Sequence, residues 1–203
     1  MKTESELQRI VSGACLIVAP LLMLTGNILR FALDDVHLWH PTLNIISVAL
    51  SVPAILGLKH LLRFRAPRIA VYVGNLAMIW AVIGLSVLWG RLIGRAALPD
   101  EAAALVIRKA LFGGLAPFVM LAPLYWIFLT VIGLALWRTK VVPAWVGLLM
   151  ALGSLMFPVA AIAFSQIPAV IHLTDVLLLV ADGWLGWKIL TQPSFWEQEG
   201  NTG

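Results

Sequence analysis

Residues 171–190 read IHLTDVLLLVADGWLGWKIL, a run of Leu, Val, Ile and Trp that nevertheless carries His172, Asp175 and Asp182. Bilayer hydrocarbon is about 30 Å thick, so a spanning helix needs roughly 20 mostly apolar residues, which this run supplies. Charges at that depth cost at least about 2.5 kcal/mol each on insertion scales, and so face a partner or a cavity. At 100° per residue the three polar side chains fall within an arc of about 80°, with Gly183 and Gly186 close to the same stripe. The helix therefore has one small, polar face and a remainder suited to lipid. Asp175 and Asp182 are about 10 Å apart along the axis, too far to share a proton but close enough for one substrate or water chain to touch both. Three readings of the stripe stay open: a structural grip on neighbouring helices, a proton or cation relay, and a polar anchor in a lipid or small-molecule pocket.

The rest of the chain has the same character. Of its 203 residues, 61% are hydrophobic and 12% charged, and the mean hydropathy is +0.96. A soluble domain of this length has no means of hiding so much apolar surface. The expectation is one all-α, polytopic membrane helix bundle over residues 1–203, with six transmembrane helices at about 10–30, 42–62, 69–90, 112–137, 143–164 and 168–190. Pro41, Pro67, Pro143 and Pro168 stand at the starts of four of these, where a proline has no donor to lose. The apolar run continues past the lone Cys15 instead of preceding it, so the first segment reads as a retained span entered by a capping box at Thr3 and Glu6.

Lys and Arg set the orientation. With the N-terminus inside, the cytoplasmic side collects Lys2, Arg9, Lys59, Arg63, Arg65, Arg68, Arg138, Lys140 and Lys188, and the outer side Arg30, Arg91, Arg95, Arg108 and Lys109. Both termini are therefore expected in the cytoplasm. The long outer loop holds a candidate interfacial helix, PDEAAALVIRK, opened by Pro99 and acidic residues. Trp39 and Trp89 fall at the outer boundary and Trp137, Trp145 and Trp187 at the inner one, where indole rings prefer to sit. Trp80 and Trp126 lie deeper, either as packing or as walls for an apolar ligand. The formal charge of +4 follows from topology and calls for no nucleic acid.

Partners for the polar stripe are sought in the other spans. Asn44, Ser47, Ser51 and Ala54 share a face of the second helix, Asn75 and Ser86 a face of the third, and Cys15, Ala19 and Gly26 a small-residue stripe on the first, the types found where membrane helices touch. Arg30, Arg91 and Arg95 are the outer cations nearest to Asp175. In the first outer loop, LDDVHLWHP places Asp34, His37 and His40 at intervals of three, donor types that suit a divalent metal, although the spacing matches no diagnostic zinc signature. Pro117, Pro123 and Pro158 lie inside spans and bend them. No nucleophile elbow, phosphate-binding loop, CxxC pair or HExxH occurs, and nothing names a cofactor.

The ending, VPAWVGLLMALGSLMFPVAAIAF and then IPAVIHLTDVLLLVADGWLGWKIL, resembles the last two helices of six-span bacterial integral membrane proteins, through Lys140, Val142, Pro143 and Trp145. The resemblance covers the last third of the chain. It implies the six-span count and a bacterial inner-membrane location, and brings no activity. The leading expectation is thus a transporter-like or ligand-binding bundle whose site joins His172, Asp175 and Asp182 with Asn44 and Asn75, taking a small ion, a lipid or a hydrophobic ligand. Two alternatives remain: a membrane enzyme acting on a lipid or isoprenoid with an outer-face His/Asp site, and an accessory subunit that binds another membrane protein or a second copy.

Overall fold

The computed structural model describes residues 4–32, 39–97, 102, 105, 109, 124–163 and 167–197. Its long helices are α1 (Glu4–Ala32), α2 (Trp39–Leu62), α3 (Gly74–Ala97, preceded by a π-helical turn at Ile69–Val73), α4 (Leu124–Arg138), α5 (Ala144–Ala163) and α6 (Pro168–Thr191); a short α7 (Pro193–Trp196) follows. No strand occurs among the described residues. Four of these helices are long and apolar enough to cross a bilayer, α1, α2, α3 with its π turn, and α6, while α4 and α5 are shorter apolar helices. The segment expected at 112–137 is described only from Leu124. Thr3 of the expected capping box, Pro117 and Pro123 lie outside the described residues. Of the expected interfacial helix, Ala102, Leu105 and Lys109 are described, each helical.

Helix ends follow local chemistry. Pro168 opens α6 directly after the extended Ile167, a first-turn position where the missing N–H breaks no bond. Pro143 likewise stands immediately before α5. Pro41, expected just ahead of the second span, instead falls inside the first turn of α2, which begins at Trp39. Pro20, Pro53 and Pro158 are accommodated inside α1, α2 and α5, as neighbouring helices allow in an apolar environment. The α4–α5 turn is closed by Lys140 at φ 54°, the sole positive φ outside glycine among the described residues.

Each helix packs on its neighbours in chain order, and α1 packs on α6, so the six long helices close into a ring. Small residues set the closest crossings. A Cβ added to Gly186 would lie 2.5 Å from the Gly13 carbonyl oxygen, and one added to Gly147 2.8 Å from that of Gly133. The backbones of α1 and α6, and of α4 and α5, therefore touch, as small residues permit between membrane helices. Arg9 reaches from α1 to donate to the carbonyls of Ile189 and Leu190, both at 2.9 Å, closing the last turn of α6. The core runs through Leu16, Ile55, Leu62, Leu136, Met150, Leu185 and Ile189, all at most 2% exposed. Trp39, Trp89, Trp137, Trp145 and Trp187 are exposed, as rings at a headgroup boundary would be.

α3 differs from the other helices. Only 17% of its most apolar window is buried in the protein, against 44% for α2. Among the described side chains, the buried members of α3 and its π turn are Ala70, Gly74, Ala77 and Ala81, all small, so it rests on the ring by a thin alanine seam and leaves space beside it.

Candidate functional site

The stripe on α6 divides. Asp175 is fully buried and its Oδ2 accepts a 2.7 Å hydrogen bond from Nδ2 of Asn27 on α1; its Oδ1 has no partner. The Asn27 Oδ1 lies 3.3 Å from Nε2 of His40, and the same Nε2 lies 2.9 Å from Nδ2 of Asn44. A chain of polar groups thus runs from α6 through α1 to the first turns of α2. One ring nitrogen is unable to donate to Asn27 and accept from Asn44 at once. The shorter contact makes Nε2 the acceptor, and leaves the Asn44 Oδ1 buried without a partner, beside Gly26, where an added Cβ would lie 3.3 Å from it.

His172, one turn before Asp175, sits apart from this chain. Its ring packs edge-on against Phe31, centroids 5.5 Å apart at 88°, and its Nδ1 is buried without a partner. Arg30 is exposed and lies 5.3 Å from the Phe31 ring centroid, so it does not pair with Asp175. Asn75 departs from its expected place: it is exposed and accepts a hydrogen bond from Lys59, the last-turn lysine of α2, away from the α6 carboxylates. The helical-face argument for Asn75 lacked the height along the axis that separates it from Asp175.

Asp34 and His37 lie outside the described residues, and so does the loop reading as a metal site. Among the described residues no group of three or more His, Cys, Asp or Glu could hold a metal. His40, the described member of that trio, lies between Asn27 and Asn44.

Asp182 has different surroundings. No hydrogen bond to it occurs among the described residues, and its Oδ1 is buried unpartnered. It lines a small cavity of about 60 Å³ together with Cys15, Ala19, Ser47, Ser51 and Tyr125. A larger cavity of about 270 Å³ lies between α2, α3, α4 and α5, walled by Trp80, Tyr125, Trp126 and Phe157, with Asn44 and Ser47 contributing on the α2 side and Gly84 on the α3 side. Met23, Ser47, Tyr125 and Trp126 line both cavities, which therefore abut. Neither is lined by Asp175.

The chain matches no protein-family model, no curated protein and no solved structure. The geometry alone carries the functional argument.

That geometry is specific at the aromatic wall. Trp126 stacks on Phe157, centroids 4.1 Å apart, and meets Tyr125 edge-on at 5.0 Å. Rings fixed in this way cannot swing in to fill the space. Ser47 donates to the Ala19 carbonyl at 2.7 Å and Ser51 to the Val48 carbonyl at 2.7 Å, so both hydroxyl protons are committed to backbone and the oxygens are left as acceptors. Trp80 and Trp126, left open by sequence between packing and wall, line the larger cavity. Asn27 and Tyr125 were not singled out from sequence at all. Asn27 had one signal, an amide late in an apolar helix; Tyr125 had none beyond its position two residues after Pro123.

Proposed function

We propose that this protein is a small ligand-binding, transporter-like membrane bundle of six spans with both termini cytoplasmic, and that its cavity between α2, α3, α4 and α5 takes the apolar body of a lipophilic molecule. The span count and orientation rest on the apolar runs and the nine-against-five division of Lys and Arg. The ligand reading rests on one observation, the cavity of about 270 Å³ walled by Trp80, Tyr125, Trp126 and Phe157 with the Asn44 amide and Ser47 hydroxyl on one side. A buried hole of about 150 Å³ lined by aliphatic residues already accepts benzene, so this volume suits a body of roughly two fused rings. Apolar pockets with a few convergent polar groups are the usual form of a small-molecule site.

The His40–Asn44 pair gives the pocket a fixed polar edge. The Asn44 amide donates to His40 one turn earlier on the same helix, so it is positioned before any ligand arrives.

The test uses a fluorescent bicyclic alcohol, 2-(2-naphthyl)ethanol, with energy transfer from protein tryptophan as the signal, in maltoside micelles. A Cβ added to Gly84 meets nothing within 4 Å, so Gly84→Leu fills the cavity without disturbing the backbone. Saturable binding that weakens about tenfold or more in Gly84→Leu is expected. Binding that is absent, or indifferent to Gly84→Leu, would refute the pocket.

A further inference from the structure

We infer that the ligand of this site is a lipophilic ammonium, an aromatic or branched apolar body carrying a protonated amine that reaches Asp182. The inference rests on the pocket reading above and adds the charge of the occupant. Its basis is a mismatch of donors and acceptors where the two cavities meet. The oxygen-bearing side chains at this space act as acceptors: Asp182 lines the smaller cavity and has no hydrogen-bond donor among the described residues, its Oδ1 buried without a partner, and the Ser47 and Ser51 hydroxyls have given their protons to backbone carbonyls. Tyr125 lines the smaller cavity with Ser51 and Asp182. Neutral donors remain in the second N–H of the Asn44 amide, the indole N–H groups of Trp80 and Trp126 and the weak thiol of Cys15. No Lys, Arg or His occurs among the described residues lining either cavity.

The cations nearest in sequence to this end of the bundle have other engagements. Arg9 bonds the α6 carbonyls, Lys59 bonds Asn75, and Lys188 lies 5.6 Å from the Trp184 ring centroid. An intramembrane carboxylate that the protein itself leaves without a counter-ion is a place for a borrowed one.

Size and shape agree with an amine. The smaller cavity, about 60 Å³, exceeds the roughly 10–15 Å³ that one water needs, and so admits an ammonium group with a water beside it. The shared wall offers the faces of Tyr125 and Trp126, and ring faces attract a cation within about 6 Å. The body then occupies the larger cavity and the charge the smaller, with Ser47 at the junction accepting a hydrogen bond from the amine.

The decisive comparison is between two probes of one shape, 2-(2-naphthyl)ethylammonium and 2-(2-naphthyl)ethanol, each titrated into the wild type, Gly84→Leu and Asp182→Asn in neutral detergent, with the Gly84→Leu signal subtracted to remove micelle partitioning. The wild type is expected to bind the ammonium at least about tenfold more tightly than the alcohol. In Asp182→Asn that preference should vanish while the alcohol's affinity is kept, which also reports that the variant is folded. Equal affinity for the two probes in the wild type overturns the inference and leaves the pocket standing, and so does an ammonium preference that survives Asp182→Asn. Failure of both probes to bind overturns inference and pocket together. If Asp182→Asn does not fold, the wild-type ratio decides alone.

Discussion

Asp175 and Asp182 lie two turns apart on the same stripe of the same helix, and their surroundings have little in common. Asp175 lines neither described cavity and is tied to Asn27 on α1. Asp182 faces a hollow and touches no donor among the described residues. Seven residues of helix bring a side chain back to nearly the same face but move it about 10 Å along the axis, and the neighbours at the two heights differ. At the level of Asp175, α1 presents an amide. At the level of Asp182, α1 and α2 present Cys15, Ala19, Ser51 and Ala54, which are too small to close the gap. A carboxyl group within a membrane helix is thus not one kind of feature: the first is a fastener, the second a polar group set beside a hollow.

The comparison is broken most severely where both carboxylates depend on one contact. Gly186→Leu would drive a side chain into the Gly13 carbonyl and separate α1 from α6; the expected result is loss of the folded bundle, seen as aggregation or early elution on size exclusion in mild detergent. Asn27→Leu removes only the fastener. It should lower stability by about 1–2 kcal/mol, because a buried carboxylate oxygen loses its donor and membrane hydrogen bonds reach at most about that range; denaturation in SDS-containing mixed micelles measures it. Ser47→Ala should fall between this variant and Asp182→Leu, freeing the Ala19 carbonyl at about 0.6 kcal/mol, the mean for such bonds between membrane helices. Asp182→Leu sharpens the contrast from the other side. With no partner to strand and an apolar group entering a hollow, its stability should change by less than about 0.5 kcal/mol or rise, in the same assay. Should Asp182→Leu cost as much as Asn27→Leu, the distinction between the two carboxylates would be lost.

The sequence made one side of this contrast readable. Long apolar runs with proline at their edges are enough to find α1, α2, α3, α5 and α6, because a bilayer fixes the length and polarity of whatever crosses it. The stripe on α6 was also readable, since 3.6 residues per turn makes facing a matter of arithmetic. Which helix faces the stripe was not. Asn27 is 148 residues from Asp175, and no periodicity links two helices that meet only after the ring closes. For the outer trio of Asp34, His37 and His40 the sequence supplied donor types alone, and of the three only His40 is described, between two asparagines. Asn75 shows the converse, a residue on a plausible face at the wrong height. The cavities lay beyond sequence altogether, since a hollow is what side chains fail to fill, and Gly84 and the alanine seam of α3 look no different from ordinary packing.

The contact between the first and last helices bears on the order of events during synthesis. Gly13 and Asn27 emerge from the ribosome with α1, while Gly186 and Asp175, which complete their contacts, emerge about 170 and 150 residues afterwards. At the roughly 5–20 residues per second of chain elongation, α1 spends on the order of ten seconds in lipid or at the insertion machinery with its amide and its glycine groove unmatched. The ring is therefore a clasp that can close only from the C-terminal end, and a chain truncated before α6 would keep α1 in that unmatched state for as long as it persists.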